Sequence, residues 1–190
     1  MRKGLNWIYS IERTIIPEKE IQTRVQAIAQ QIDLDYADQE YPVVFICILK
    51  GAYVFCADLT RRLNIPHEVH FMAVSSYNDG TKTSGVVRIE KDVSIDITDR
   101  NVIIIEDIVD TGLTLPYLKE LFSDRNPRTL AICALLDKPE ARKKKVQVDY
   151  VGFEIGNDFV VGYGLDFDQQ FRGLSCIAIL KPEVYEEESE

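Results

Sequence analysis

The sequence predicts an α/β fold in which helices flank a mainly parallel, twisted sheet. Short apolar runs rich in β-branched residues recur at Val43–Leu49, Val102–Ile105 and Thr129–Leu136, as strands buried on both faces require. Stretches of helical spacing separate them, which points to strand–helix–strand units. Each run gives way at once to polar residues: Lys50 and Gly51, Glu106 and Asp107, Asp137 and Lys138. Ligands bind outside the carboxyl ends of parallel strands, so three segments distant in sequence are expected to converge on one edge.

In chain order, an irregular N-terminal stretch leads to Pro17, which with Glu18 and Glu20 opens a helix. Its Ile21, Val25, Ile28 and Ile32 fall on one face. The strand at 43–49 follows, then helix to about Leu63. Val69, Phe71 and Ala73 alternate with their neighbours and predict a strand entering the polar segment SSYNDGTKTSG. That segment, 75–85, has no apolar periodicity and reads as a long mobile loop. Val86–Glu90 and the run at 102 are strands. Pro116 must sit in a first helical turn, where its missing N–H costs nothing, with Leu118, Leu121 and Phe122 behind it. Thr129–Leu136, Tyr150–Ile155, Phe159–Tyr163 and Cys176–Leu180 complete the strands. The acidic end, 184–190, reads as frayed and disordered. Without repeats or a flexible linker, 1–190 is expected to form one domain.

The composition is that of a globular protein, with 46% apolar and 28% charged residues in 190. A net charge of −9 argues against nucleic acid as a partner. The basic run Arg142–Lys145 reads as a solvated helix end or loop. Charges break the N-terminal apolar positions before signal-peptide length, and no run approaches the ~18 residues of a membrane span. A cytoplasmic location is therefore expected, without a membrane partner. Cys47, Cys56, Cys133 and Cys176 lie in apolar segments without paired spacing and read as buried thiols in a reducing compartment. With two histidines, a zinc site is disfavoured.

The stretch Asn101–Tyr117 carries the densest chemistry. A buried strand surfaces at Glu106 and Asp107; Asp110, Thr111, Gly112, Leu113 and Thr114 then turn into a helix. Unpaired N–H groups gathered at that helix start suit a phosphate. The three carboxylates would repel one. A sugar phosphate with a divalent cation reconciles the two, with carboxylates facing ribose hydroxyls and hydrated metal. Taken alone, Glu106 and Asp107 are as readily solvated turn residues. Asp110-Thr111-Gly112 is also the aspartic protease triplet, but the helix that follows argues against that fold.

The thirteen residues IIIEDIVDTGLTL at 103–115 resemble the phosphoribosyl pyrophosphate signature of type I phosphoribosyltransferases, in particular the hypoxanthine (guanine) phosphoribosyltransferases. LKGAYVFCADL at 49–59 and FVVGYGLDFDQQFRGL at 159–174 extend the resemblance across most of residues 43–180. It implies the type I phosphoribosyltransferase fold with a small hood region, and magnesium-dependent (Mg2+) transfer of a phosphoribosyl group from phosphoribosyl pyrophosphate to a 6-oxopurine in purine salvage. By the same resemblance, Asp110–Thr114 hold the 5′-phosphate and Asp110 takes the purine proton. Glu106 and Asp107 face the ribose and its metal, and Asp166 contributes to a second magnesium. Lys50, Gly51 and Arg172 contact pyrophosphate, next to a cis Leu49–Lys50 bond. Lys138, Phe159 and Val160 meet the purine, an ammonium donor suiting the 6-oxo acceptor. Ser76 and Tyr77 belong to a loop that closes over the site, and the family forms dimers or tetramers.

Bland readings stand beside these. Taken singly, Arg172 and Asp166 are surface charges, Phe159 and Val160 core strand, and Tyr77 a surface aromatic. Two rival functions share the motifs: a regulator that senses the sugar pyrophosphate, and a transferase preferring xanthine or a pyrimidine.

Overall fold

The computed structural model describes residues 7–79, 82–144 and 146–185. The chain forms α1 (Trp7–Ser10), β1 (Ile11–Ile16), α2 (Glu18–Asp35), β2 (Val43–Leu49), α3 (Tyr53–Thr60), β3 (His67–Asp79), β4 (Lys82–Lys91) and β5 (Asn101–Val109). There follow α4 (Thr114–Ser123), β6 (Thr129–Asp137), a 3₁₀ turn at Pro139–Ala141, β7 (Tyr150–Glu154), β8 (Val160–Val161), β9 (Ile177–Leu180) and α5 (Pro182–Tyr185).

Six strands form the main sheet in the order β4-β3-β2-β5-β6-β7. β3, β2, β5, β6 and β7 run parallel, and β4 closes one edge antiparallel to β3. Strict alternation explains the unbroken apolar runs. Val43, Phe45 and Cys47 of β2, with Ile103 and Ile105 of β5, face the α2 and α3 side. Val44, Ile46 and Ile48, with Val102 and Ile104, face the α4 side. Both faces are covered, so the stretches 43–48 and 102–105 are apolar throughout. On the helical side, Ile21, Val25, Ile28, Ala29 and Ile32 of α2 are buried.

A second, three-stranded sheet, β1-β9-β8, is antiparallel and forms the hood region. β1 replaces the irregular N-terminal stretch expected from the sequence. Its Glu12 and Arg13 interrupt the apolar pattern because that stretch of the strand faces solvent. The segment expected as a loop at 75–85 is also different. β3 and β4 stay paired as far as Asp79↔Lys82, with a register shift between Ser76 and Asn78. An edge hairpin satisfies its backbone through the ladder, so apolar periodicity is no guide there. The side chains of Ser76 and Tyr77, residues 80 and 81, and the tail 186–190 lie outside the described residues. No helix among the described residues is long and apolar enough to cross a membrane.

From β2 the chain crosses to β3 on one side, and later to β5 on the other. The crevice between the carboxyl ends of β2 and β5 is thus the topological switch point of the sheet, where ligands bind in such folds. Pairing between the two stops at Cys47↔Ile105, although both strands continue. The candidate site occupies the opening this leaves.

Candidate active site

Glu106 and Asp107 stand where β5 outruns β2. The sequence suggested a strand ending at Ile105, but β5 goes on through Glu106↔Ala134 and Ile108↔Leu136, paired on one side with β6. Glu106 is therefore 7% exposed, inside a strand and not on a solvated turn. Burial, with Asp107 beside it, pushes its carboxyl well above the usual range. Asp107 is half-buried, and burial raises it to about 6, against the N–H of Ile108, which donates to its Oδ1 at 2.8 Å, and the more distant Arg172 charge. Two adjacent carboxylates held this way call for a cation.

Beyond Val109 the chain turns through Asp110–Leu113 into α4, with Pro116 in the first turn as expected. Gly112 has φ +69°. Residues 106–115, with Ile48 and Val74, wall a cavity of about 250 Å³. Leu113, Thr114 and Leu115 at the start of α4 line it, and the Leu113 side chain does not cap the helix.

Lys50 and Gly51 follow β2 directly, and the Leu49–Lys50 peptide is cis. A Cβ at Gly51 would land on Oδ2 of Asp107, and one at Gly164 (φ +107°) on the carbonyl of Gly51. The backbone of Gly51 thus packs against the Asp107 side chain and that of Gly164 against the backbone of Gly51, approaches that glycine allows. Beside Gly164, Arg172 donates from Nη1 to the Gly164 carbonyl at 2.7 Å and pairs through Nη2 with Oδ1 of Asp166 at 2.8 Å. Gln169 joins the groups: its Oε1 accepts from Lys50 Nζ at 3.3 Å and Arg172 Nη2 at 3.2 Å, while its N–H donates to Asp166 Oδ2 at 2.8 Å. Gln169 and Gly164 were overlooked in the sequence, although both lie in FVVGYGLDFDQQFRGL. A glycine between large residues, Tyr163 and Leu165, was the available signal for Gly164.

Lys138 lies just past β6 and is 6% exposed. Its Nζ donates to the Asp158 carbonyl at 2.9 Å and lies 3.9 Å from Oδ2 of Asp110. Phe159, 39% exposed, meets Phe167 edge-on with centroids 5.7 Å apart, and Val160 is buried in β8. The order across the crevice is thus Phe159 and Lys138, then Asp110, then the cavity, with Asp107 leading to Gly51 and on to Arg172. Lys50 and Asp166 join through Gln169 and Arg172, while Phe159 and Val160 directly follow Asp158, whose carbonyl takes the Lys138 ammonium.

The phosphoribosyl transferase domain model matches residues 15–168. The chain belongs to the phosphoribosyl transferase family. Among its relatives, the hypoxanthine-guanine phosphoribosyltransferase of Mycobacterium bovis is 47% identical over 180 residues, covering 93% of this chain and 89% of that one. The Bacillus subtilis hypoxanthine-guanine phosphoribosyltransferase is 46% identical over 178 residues, covering 94% and 98%. The crystal structure of a Staphylococcus aureus hypoxanthine phosphoribosyltransferase superposes with a TM-score of 0.89 at 40% identity, covering 96% of this chain and 99% of the other. In this phosphoribosyl transferase the carboxylates of β5, the α4 entry and the Gly51–Gly164 contact form one continuous rim.

Arg142, expected to be solvated, pairs with Asp137 at 2.5 Å, their side chains 14% and 9% exposed.

Proposed function

We propose that this phosphoribosyl transferase moves the 5-phosphoribosyl group from phosphoribosyl pyrophosphate to a ring nitrogen of hypoxanthine or guanine, giving IMP or GMP and pyrophosphate. The observation that carries the proposal is the 3.9 Å approach of Lys138 Nζ to Asp110 Oδ2. It sets a donor for a 6-oxo group beside a carboxylate able to take a proton, at the entrance to the phosphate loop.

The purine lies on Phe159 with its oxo group on Lys138 and its C2 edge near the Val160 backbone. The 5′-phosphate sits in the cradle of Asp110–Thr114, receiving N–H groups from the loop and the Thr111 and Thr114 hydroxyls. Lys50, the Gly51 backbone and Arg172 bind the pyrophosphate. As the bond from the anomeric carbon to the pyrophosphate oxygen breaks, its electron pair leaves with pyrophosphate. The purine nitrogen bonds to the anomeric carbon, and its proton passes to Asp110. General base work of this kind contributes about 10²- to 10⁴-fold.

Glu106 and Asp107 fit magnesium: burial disfavours the charge on both carboxylates, which a cation would offset, and Arg172 is held by Asp166. Among the described residues no three His, Cys, Asp or Glu side chains form a metal cage, and magnesium is commonly held by one or two carboxylates with substrate oxygens and water. When bound, magnesium neutralises charge developing on the departing pyrophosphate. Asp166 has its oxygens engaged by Arg172 and the Gln169 N–H, and would hold a second ion through water. Ser76 and Tyr77, on the hairpin that continues from cavity-lining Val74, close over the bound substrates and keep water from the transition state. The protein works in the cytoplasm as a homo-oligomer, dimer or tetramer, on small molecules.

The test is a spectrophotometric assay with phosphoribosyl pyrophosphate and magnesium, offering hypoxanthine, guanine, xanthine, adenine and uracil separately, with Asp110→Asn alongside. Magnesium-dependent turnover of the 6-oxopurines, about 10²-fold or more lower in Asp110→Asn, is expected. Equal turnover of adenine, or no effect of the substitution, would refute the assignment.

A further inference from the structure

The basic run from Arg142 plays no part in the reaction as described, yet it lies against the phosphate loop. The N–H of Lys143 donates to the Thr111 carbonyl at 3.0 Å. A Cβ at Gly112 would come within 3.1 Å of the Lys144 carbonyl and 3.8 Å of Val146 Cγ2. Lys143, Lys144 and Val146 thus lie as a strap across the back of Thr111 and Gly112.

Arg142 holds the strap down. Its Nη2 reaches Asp137 Oδ1 at 2.5 Å, and its Nη1 donates to the Val146 carbonyl. Its Nε is buried without a hydrogen-bond partner in the structure. A guanidinium held in this way is strongly oriented, since its two arms grip the last residue of β6 and the far end of the strap at once. Asp137 is in turn fixed: its carbonyl accepts from Ile155 N–H at 2.9 Å, and the next residue, Lys138, donates its N–H to Val109 at 2.9 Å.

We infer that Arg142 is a positioning residue for the 5′-phosphate loop, acting through the strap and the bond from Lys143 N–H to the Thr111 carbonyl. Thr111 is thereby registered against the end of β6, which also carries Lys138. Loop N–H groups bind an anion well only when their directions are fixed beforehand. Lys143 and Lys144 expose their side chains, whereas the grip on Thr111 is made by backbone. The inference rests on residues 110–114 being the phosphate site.

The experiment measures the affinity of full-length protein for IMP and for inosine, which lacks the phosphate, and takes their ratio. Four proteins are compared: the unaltered chain, Arg142→Gln, Arg142→Lys and Lys143→Pro. Arg142→Lys keeps the charge but cannot grip both acceptors. Lys143→Pro removes the N–H together with the exposed Lys143 ammonium, which Arg142→Gln and Arg142→Lys leave in place, and Arg142 already has the extended backbone (φ −67°, ψ 123°) that a following proline favours.

In all three variants the ratio is expected to fall about fivefold to tenfold, the value of one well-placed hydrogen bond, with inosine affinity held within about twofold. The KM for phosphoribosyl pyrophosphate should rise while that for hypoxanthine stays nearly constant. Full rescue by Arg142→Lys would mean that charge alone acts, and would overturn the inference. So would an undiminished ratio in Lys143→Pro, or equal losses for IMP and inosine. If the unaltered chain itself gains nothing from the phosphate, the loop assignment falls and the strap with it.

Discussion

Replacing Asp107 by Asn isolates the cost of burying acidic charge at the end of β5. The side chain keeps its shape and an oxygen for the Ile108 N–H, but loses its charge. In the folded protein the Asp107 carboxyl rises from 3.8 to about 6. A carboxyl whose folded value lies above its unfolded one binds more protons when native, so stability falls as pH climbs through that window. The cost is absent below about pH 4 and complete above the folded value. At 1.36 kcal/mol per pH unit it comes to roughly 3 kcal/mol, trimmed towards ~1–2 because water reaches this half-buried group. Relief of Glu106, whose own carboxyl is pushed up partly by Asp107, acts in the same direction. In chelator, urea unfolding should therefore show Asp107→Asn more stable than the parent at pH 7.5 by ~1–3 kcal/mol, with the gain gone at pH 4. Magnesium with pyrophosphate should stabilise the parent more than the variant. A gain independent of pH, or a loss at pH 7.5, would refute the reasoning.

Gly164→Ala drives a Cβ into the Gly51 carbonyl at a left-handed φ, and should destabilise by ~2–4 kcal/mol while raising the KM for phosphoribosyl pyrophosphate; thermal unfolding with steady-state kinetics checks both. Lys138→Gln replaces an ammonium donor with an amide that can also accept. It should lower kcat/KM for hypoxanthine about 10- to 100-fold and narrow the preference over adenine, read from parallel assays of the two bases. Tyr163 donates to Asp58 Oδ2 at 2.6 Å beneath Gly164, so Tyr163→Phe should cost ~1.5–3 kcal/mol in urea unfolding, the value of a hydrogen bond to a charged acceptor.

What the sequence determined by itself was whatever is encoded locally. The double-sided burial of β2, β5 and β6 appears as unbroken apolar runs, and α2 as a stripe with its proline start. Pro116 marks the first turn of α4, and the polar residues after each parallel strand mark the binding edge. The motif around Asp110 was legible because its turn, hydroxyls and helix start are contiguous. Tertiary structure alone decided what depends on neighbours across the fold. Glu106 is buried because β6 continues alongside β5 after β2 has parted from it, a matter of relative strand length that β5 does not carry in its own residues. β1 and the far ends of β3 and β4, beyond Val74 and before Val86, are strands because a partner supplies their ladders, which leave no apolar period to read. Arg142 sits in a basic run that looks solvated, until the fold brings Asp137 and Thr111 to it. Local patterning reports the solvent boundary of each element, whereas ion pairs and backbone approaches between distant segments exist only once the sheet order has brought them together.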